Sequence, residues 1–368
     1  MKKITLSLML LLAIILLPSV IFAADGNIAK MGDEEYPTIQ AAINAINSSE
    51  QVTITLIGDE ATITGGGFIT NEENIVIDFN GKTYNVTEPL VGSSGTESNG
   101  CQLLRGSTVK FTNGTFKSDV ARILVQNYSN FTLASDMTLR AENAVTGYAL
   151  SNNCGVVNIE GNIYASNYAF DMCWGPDVWG ANTGYTEGTQ ITVNTNGTIE
   201  GNIELGTWGD VTEANKVNIK STLKIDKIGT FDGYIFVRKD YLKNQLTVSE
   251  NYDLRETDEL EFILAELNSI TITSAKNGKV TANKSVAAYE DLVELTIVPD
   301  AGYIVKDVVV LDNKNKELEL IEGNKFSMPE GAVTVTVTFD ELVKDIEAPT
   351  IDTKQEFKEV TLGLSNLE

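Results

Sequence analysis

The chain has 368 residues, with 27 Lys and Arg against 51 Asp and Glu, a net charge of −24 and no histidine. An acid excess of this size repels phosphate backbones and anionic lipid heads, which argues against nucleic-acid and membrane-surface partners. The missing imidazole excludes Ser-His-Asp and Cys-His nucleophiles and His-ligated zinc, so any catalysis has to run on carboxylates, Lys, Arg or Tyr.

At the start, Lys2 and Lys3 precede an apolar run from Leu6 to Leu17 broken only by Ser7, and Pro18 and Ser19 lead to the small residues Ala23 and Ala24. That order reads as a secretory signal peptide over residues 1–23, cleaved after Ala23 or Ala24. The competing reading is an uncleaved anchor, because the run approaches the length of a membrane span; Pro18 and the small pair favour the extended site that a peptidase needs. No later segment is apolar enough to cross a bilayer. Without Lys2 and Lys3 the mature chain carries 25 − 51 = −26. This charge is expected to serve solubility, although it also admits calcium; no other cofactor is implied. Cys101, Cys154 and Cys173 are too few for a disulfide scaffold and leave room for one pair and one thiol. Cys154 and Cys173 read as buried small hydrophobes, with stacking or pairing across a coil as the alternative.

Residues 36 to 46, Y-P-T-I-Q-A-A-I-N-A-I, form a short amphipathic helix with Pro37 at its start and Ile39, Ala42, Ile43 and Ile46 on one face. A repeated motif follows: alternating apolar residues, a Gly/Asn/Asp/Ser turn, then another alternating stretch. Its copies begin at Ile77, Val109, Phe131, Val157, Ile191 and Val217. Alternation with period two buries one face of each strand, and about two dozen residues per unit fits one full coil of a β-helix better than the hairpins of a sandwich. The asparagines at 152, 153, 194 and 196 are expected to take left-handed turns and to ladder between coils.

The helix, followed by V-T-I-T-L-I-G-D at 52 to 59 and N-I-V-I-D-F-N-G-K-T at 74 to 83, resembles the opening of a pectin-lyase-like right-handed parallel β-helix. The resemblance implies a fold over residues 30–250 with the helix as its N-terminal cap. The catalytic residues of the family do not carry over. Polygalacturonases use N-T-D, D-D, G-H-G and R-x-K motifs, and this chain has no His, no adjacent Asp pair and no R-x-K in the coil region. Pectate lyases set calcium-binding carboxylates beside an Arg base. No carboxylate cluster at coil spacing surrounds Arg105, Arg122 or Arg140, so no catalytic residue is assigned and the metal question stays open.

The densest chemistry lies at 170 to 188, F-D-M-C-W-G-P-D-V-W-G-A-N-T-G-Y-T-E-G, where the gap between copies is longest in the second half. Aromatic faces stack on sugar rings while carboxylates take the hydroxyls. Trp174, Trp179, Tyr185 and Trp208, with Asp171, Asp177 and Glu187, are therefore the candidate glycan-binding residues. The alternative is that these aromatics form the loop's own small core.

After a charged stretch at 240–267 that closes the coil end with Tyr241, Leu242, Leu246 and Leu260, the series N-G-K-V, P-D-A-G-Y and F-S-M-P-E-G-A-V-T-V-T-V-T-F resembles the bacterial repeat related to the internalin B-repeat. That resemblance implies a spacer or adhesive unit on a bacterial surface, with Tyr303 and Met328 in its core. The whole is expected to be all-β: signal peptide 1–23, right-handed parallel β-helix 30–250, β-rich repeat domain 269–340, and a linker or truncated start of a further module at 341–368. Its expected role is non-catalytic adhesion or glycan binding, secreted or at the cell surface, with a polysaccharide, a host-surface glycan or the cell wall as partner. A calcium-assisted polysaccharide lyase or glycosidase, and a purely structural stalk, are the alternatives. N-terminal sequencing of the exported protein is expected to read from Ala24 or Asp25, whereas a membrane-bound product beginning at Met1 would establish the anchor.

Overall fold

The computed structural model describes residues 26–343 except 94, 96, 144, 175–188, 208–220 and 274. The chain divides into two compact units between Ala265 and Glu266, and each is taken by itself.

The first unit is built of parallel ladders. One runs from Val52–Leu56 through the first half of Asn74–Val86, the first half of Thr108–Ser118, Asn130–Leu133, Val156–Ile159, Thr189–Asn194 and Ser221–Lys227 to Leu246–Val248. A second joins Thr62–Gly65, the later halves of Asn74–Val86 and Thr108–Ser118, Met137–Ala141, the starts of Asn162–Trp174 and Thr198–Thr207, and Thr230–Asp232. The third joins Phe68–Thr70, Asn99–Leu103, Ile123–Asn127, Tyr148–Asn153, the ends of Asn162–Trp174 and Thr198–Thr207, and Ile235–Val237. The chain visits the first, second and third ladder in turn and then returns to the first, one rung further on.

Period-two alternation on each rung sends one set of side chains into a single core, because successive residues of a strand face opposite ways. On the first ladder that set includes Ile54, Ile77, Phe111, Leu133, Ile159, Val193 and Ile225, all fully buried. On the second it includes Tyr84, Phe116, Leu139, Ile163 and Ile199, and on the third Phe68, Cys101, Val125, Leu150, Phe170, Ile203 and Ile235. The three sets belong to one continuous hydrophobic cluster. Phe111 is its aromatic centre, with ring centroids 5.0 Å from Phe131, 5.4 Å from Phe79, 5.5 Å from Phe116 and 6.1 Å from Phe68.

The bend between the first two ladders is made by asparagines in left-handed backbone, Asn80 at φ 53° and Asn113 at φ 61°. Asn tolerates this region because its short side chain bonds locally. Asp78 Oδ1 accepts from the Asn80 N–H at 2.8 Å and from the Asn113 side-chain amide at 3.0 Å, which ties one bend to the next. The left-handed position expected at Asn152 or Asn153 falls instead on Cys154, at φ 63°. Asn152 does ladder: it is fully buried, its Oδ1 accepts from the Asn127 amide at 2.9 Å, and its own amide donates to Gly155 O at 2.9 Å.

The repeat copies at Val109, Phe131, Val157 and Ile191 are register partners of one another, as aligned. The first copy is shifted, and the last begins outside the described residues. Ile75, not Ile77, pairs with Val109, and the described partner of Ile191 on the following rung is Leu223. Alternation alone has no mark for which of several apolar positions opens a rung, so a slip by an even number of residues leaves the pattern intact.

Where the ladders stop, other groups take over the strand edge. The helix Ile39–Asn44, with Thr38 Oγ1 accepting from Ala41 N at 2.9 Å, buries Ile39, Ala42 and Ile43. Its Gln40 side chain accepts from Ile69 N at 2.7 Å and donates to Ile69 O at 3.2 Å, as a neighbouring strand would. Ala29–Met31 lies antiparallel on Val52–Leu56, and Glu261 and Phe262 pair antiparallel with Phe236 and Ile235. Leu242 and Leu246 are buried, and Tyr241, Leu254, Leu260, Phe262 and Leu264 pack against the same core.

The second unit holds a three-stranded antiparallel sheet of Gly278–Ala282, Leu292–Pro299 and Lys325–Ser327. Beside it in sequence, Val333–Glu341 pairs antiparallel with Tyr303–Asp312 and parallel with residues 270–272. Val293, Leu295, Val310, Phe326, Met328, Val333, Val335 and Val337 form its core, with Tyr303 packed against them half-buried. Asn277 at φ 70° and Gly302 at φ 90° make the turns read from N-G and D-A-G-Y.

Replacing Phe111 by Ala is expected to lower unfolding free energy by about 3–5 kcal/mol through lost transfer energy and a residual cavity. A shift of the urea midpoint with an unchanged slope is the measurement that checks it.

Candidate functional site

Of the residues the sequence nominates, two lie among those described. Trp174 ends the strand Asn162–Trp174 opposite Thr207 and is 6% exposed, so its ring is held inside in this conformation. Asp171 lies three residues earlier on the same strand and is also buried. Trp179, Tyr185, Trp208, Asp177 and Glu187 lie outside the described residues.

Asp171 also has neighbours from other rungs that its sequence context does not show. Phe170 and Met172 face the core, so Asp171 faces outward from the third ladder. Register partners on neighbouring rungs face the same way, and here they are Gln102, Gln126, Ser151, Asp171, Glu204 and Phe236 in succession. The amide end of this column is internally bonded, with Gln126 Oε1 accepting from Asn99 at 2.7 Å and from Gln102 at 2.8 Å. The other end is ionic and aromatic.

Beside Asp171 and Glu204 runs a row of tyrosines. Tyr148 and Tyr168 are register partners whose rings stack at 5.0 Å between centroids and 23° between planes. Both are half-buried, which leaves ring surface toward solvent. On the far side of the column Arg238 donates from Nε to Glu204 Oε2 at 2.8 Å, and its Nη2 also pairs with that carboxylate. The same Nη2 donates to Tyr168 Oη at 2.8 Å, and the guanidinium lies 5.4 Å from the Phe236 ring centroid. Arg238 is thus fixed by an acid, a phenol and a ring that come from three different rungs. Glu204 holds its guanidinium charged, above the ordinary arginine range.

Burial is the first cause that pushes the Asp171 carboxyl up, to about 7, and the neighbouring charge of Glu204 adds to it. Hydrogen bonds from Ser151 and from the Asn152 N–H, at 3.1 Å, oppose that shift without cancelling it. Burial likewise pushes the Tyr148 phenol up, with Glu204 and Asp171 contributing after it. The column therefore holds adjacent carboxyl groups in unlike settings, one buried and close to half-protonated at neutral pH, the other paired with an arginine. Stacked rings next to hydrogen-bonding groups of both polarities suit a ligand with apolar faces and many hydroxyls. Among the described residues no three acidic or thiol groups converge as a metal site.

Sequence reasoning did not find Tyr148, Tyr168, Glu204, Phe236 or Arg238. Arg238 and Tyr168 are 70 residues apart, and only the ladder register joins them.

Because the Asp171 pKa is raised on folding from the ordinary 3.9 or so, the folded state binds the extra proton between about pH 4 and 7. Its contribution to stability is therefore complete below pH 4 and is lost as pH rises through 7. Relative to Asp171→Asn, which keeps the shape and does not titrate, the native protein is expected to lose up to about 4 kcal/mol between pH 4 and 8. Parallel urea titrations of the two proteins across that range check it, and a pH-independent difference would place Asp171 in a wetter setting.

Residues 268–342 match the family model of the divergent InlB B-repeat domain, which covers the second unit and leaves the ladders unmatched. No curated protein and no solved structure matches the chain.

Proposed function

We propose that this is an exported, surface-displayed bacterial protein whose first unit is a right-handed parallel β-helix of the pectin-lyase-like kind and whose outer third-ladder face binds glycan. The three-ladder circuit around one core supports the β-helix reading, and the helix Ile39–Asn44 with Gln40 against Ile69 supports its role as the N-terminal cap. The signal-peptide pattern over residues 1–23 and the B-repeat, which the sequence resemblance ties to bacterial surfaces, support export and display. No described helix is long and apolar enough to cross a membrane.

The observation that carries the binding reading is the stacked Tyr148–Tyr168 pair beside Glu204 and Arg238 on the outer side of the third ladder. A rung spacing of about 4.8 Å is near the length of one pyranose unit, so rings on successive rungs offer a repeating floor to a repeating chain. These tyrosines join the candidates read from the sequence; Trp174 is buried, and Trp179, Tyr185 and Trp208 lie outside the described residues.

A carbohydrate-active enzyme is the second reading, favoured by one observation. Asp171 and Glu204 are carboxyl neighbours on adjacent rungs whose environments differ, the arrangement in which one group donates a proton to a glycosidic oxygen while the other stays ionised.

The test is calorimetric titration of the purified protein with plant, microbial and mucin polysaccharides, with reducing ends and ultraviolet absorbance followed in the same samples, with and without calcium. Tyr148→Ala and Tyr168→Ala are each expected to weaken binding ten-fold or more, roughly 1.4 kcal/mol, with the far-ultraviolet spectrum unchanged. Binding that survives both substitutions would move the site elsewhere. New reducing ends or unsaturated products, lost in Asp171→Asn or Glu204→Gln, would establish the enzyme.

A further inference from the structure

We infer that Cys154 and Cys173 are a disulfide-forming pair that joins two consecutive rungs of the first unit when the protein meets a disulfide oxidant. This inference stands apart from the glycan reading and needs only the geometry of the third ladder. The three cysteines are thiols in the structure. Asn153 and Cys173 are Cα partners on neighbouring parallel strands, and Cys154 is the next residue in the chain. A rung spacing of about 4.8 Å combined with one Cα–Cα step of 3.8 Å places the Cys154 and Cys173 α-carbons roughly 6 Å apart, inside the usual disulfide range. Cys173 follows inward-facing Met172 and so faces outward, in line with Asn153, whose amide bonds outward-facing Ser151 at 3.2 Å. At Cys154 the backbone turns through the left-handed region, out of the strand and toward the next one. The two thiols are close enough for a charge on Cys154 to raise the Cys173 thiol.

Cys101 is excluded from the pair by register. It faces the core, fully buried, as the partner of Val125, which in turn partners Leu150. Two rungs, about 10 Å, and four further residues along the strand separate it from Cys154, beyond any disulfide.

The chemistry is exchange with a small disulfide. The Cys173 thiolate, on the more accessible of the two residues, attacks one sulfur of the oxidant and expels a thiolate, which takes up a proton. The Cys154 thiolate then attacks the Cys173 sulfur of the mixed disulfide and expels the second thiolate. Two protein thiols are oxidised, one oxidant disulfide is reduced to two thiols, and the two protons pass from the cysteines to the leaving groups. Burial first, and then Asp171 and Cys154, hold the Cys173 thiol high, so the first step is slow at neutral pH and accelerates as pH rises.

The experiment incubates the full mature chain with excess oxidised glutathione at about pH 8, where the thiolate fraction is larger. The protein is then denatured without reductant, alkylated with iodoacetamide and mapped by mass spectrometry after digestion. The expected product is about 2 Da lighter before alkylation, with a Cys154–Cys173 cross-linked peptide and label on Cys101 alone. Cys101→Ser should keep the bridge, and Cys173→Ser should lose it. Label on all three cysteines, stable glutathione adducts without a bridge, or a bridge that includes Cys101 would each overturn the inference.

Discussion

Parallel register is the constraint on which the first unit rests. Each rung hydrogen-bonds the rung before and after it, so the side that a residue faces is set by its partners as well as by its own strand. That coupling explains why the inward columns are nearly uniform in kind, as in Ile54, Ile77, Phe111, Leu133, Ile159, Val193 and Ile225, and why few polar residues enter them. Asn127 and Asn152 enter with their bonds made: each amide satisfies the backbone carbonyl at the following turn, and the two bond one another. Burial of these amides costs little because no lone donor is left behind.

The same register makes the outer face chemically useful. An outward column collects one residue from each rung, so groups far apart in sequence become neighbours at a fixed repeat without a dedicated loop. Asp171, Glu204 and Arg238 come from three separate rungs, and Glu204 both adds to the rise of the Asp171 carboxyl and holds the Arg238 guanidinium charged. The backbone beneath them is held on both sides by ladder bonds and from below by Phe170, Ile203 and Ile235. A face mounted this way is preorganised, which lowers the ordering cost of binding an extended ligand.

How much of this was legible in the sequence follows from the range over which each signal acts. Alternation and the Asn-Gly bends are local, and they sufficed for an all-β reading, for the helix face Ile39, Ala42 and Ile43, and for four of the six repeat copies in true register. The first copy slipped by two residues because Ile75 and Ile77 are equally apolar and face the same way. The B-repeat unit was readable because its turns fall on N-G and A-G pairs, whose backbone needs are specific. The site was not readable. Asp171 drew attention through its tryptophan neighbours, whereas its partners Ser151 and Glu204 sit in unremarkable L-S-N and I-E-L contexts. Rungs of unequal length hide the period that would have aligned them.

The reversed strands at the two ends also bear on what the first unit avoids. A stack of parallel rungs is an unfinished crystal in one dimension: its last layer exposes the donors and acceptors that recruited it, and a second molecule supplies the same pattern. Here Ala29–Met31 runs backwards along Val52–Leu56, Glu261 and Phe262 run backwards along Ile235 and Phe236, and the Gln40 side chain answers the edge at Ile69. An incoming parallel strand would meet the wrong bond spacing at these edges. Addition of a further parallel strand is thereby disfavoured at those edges.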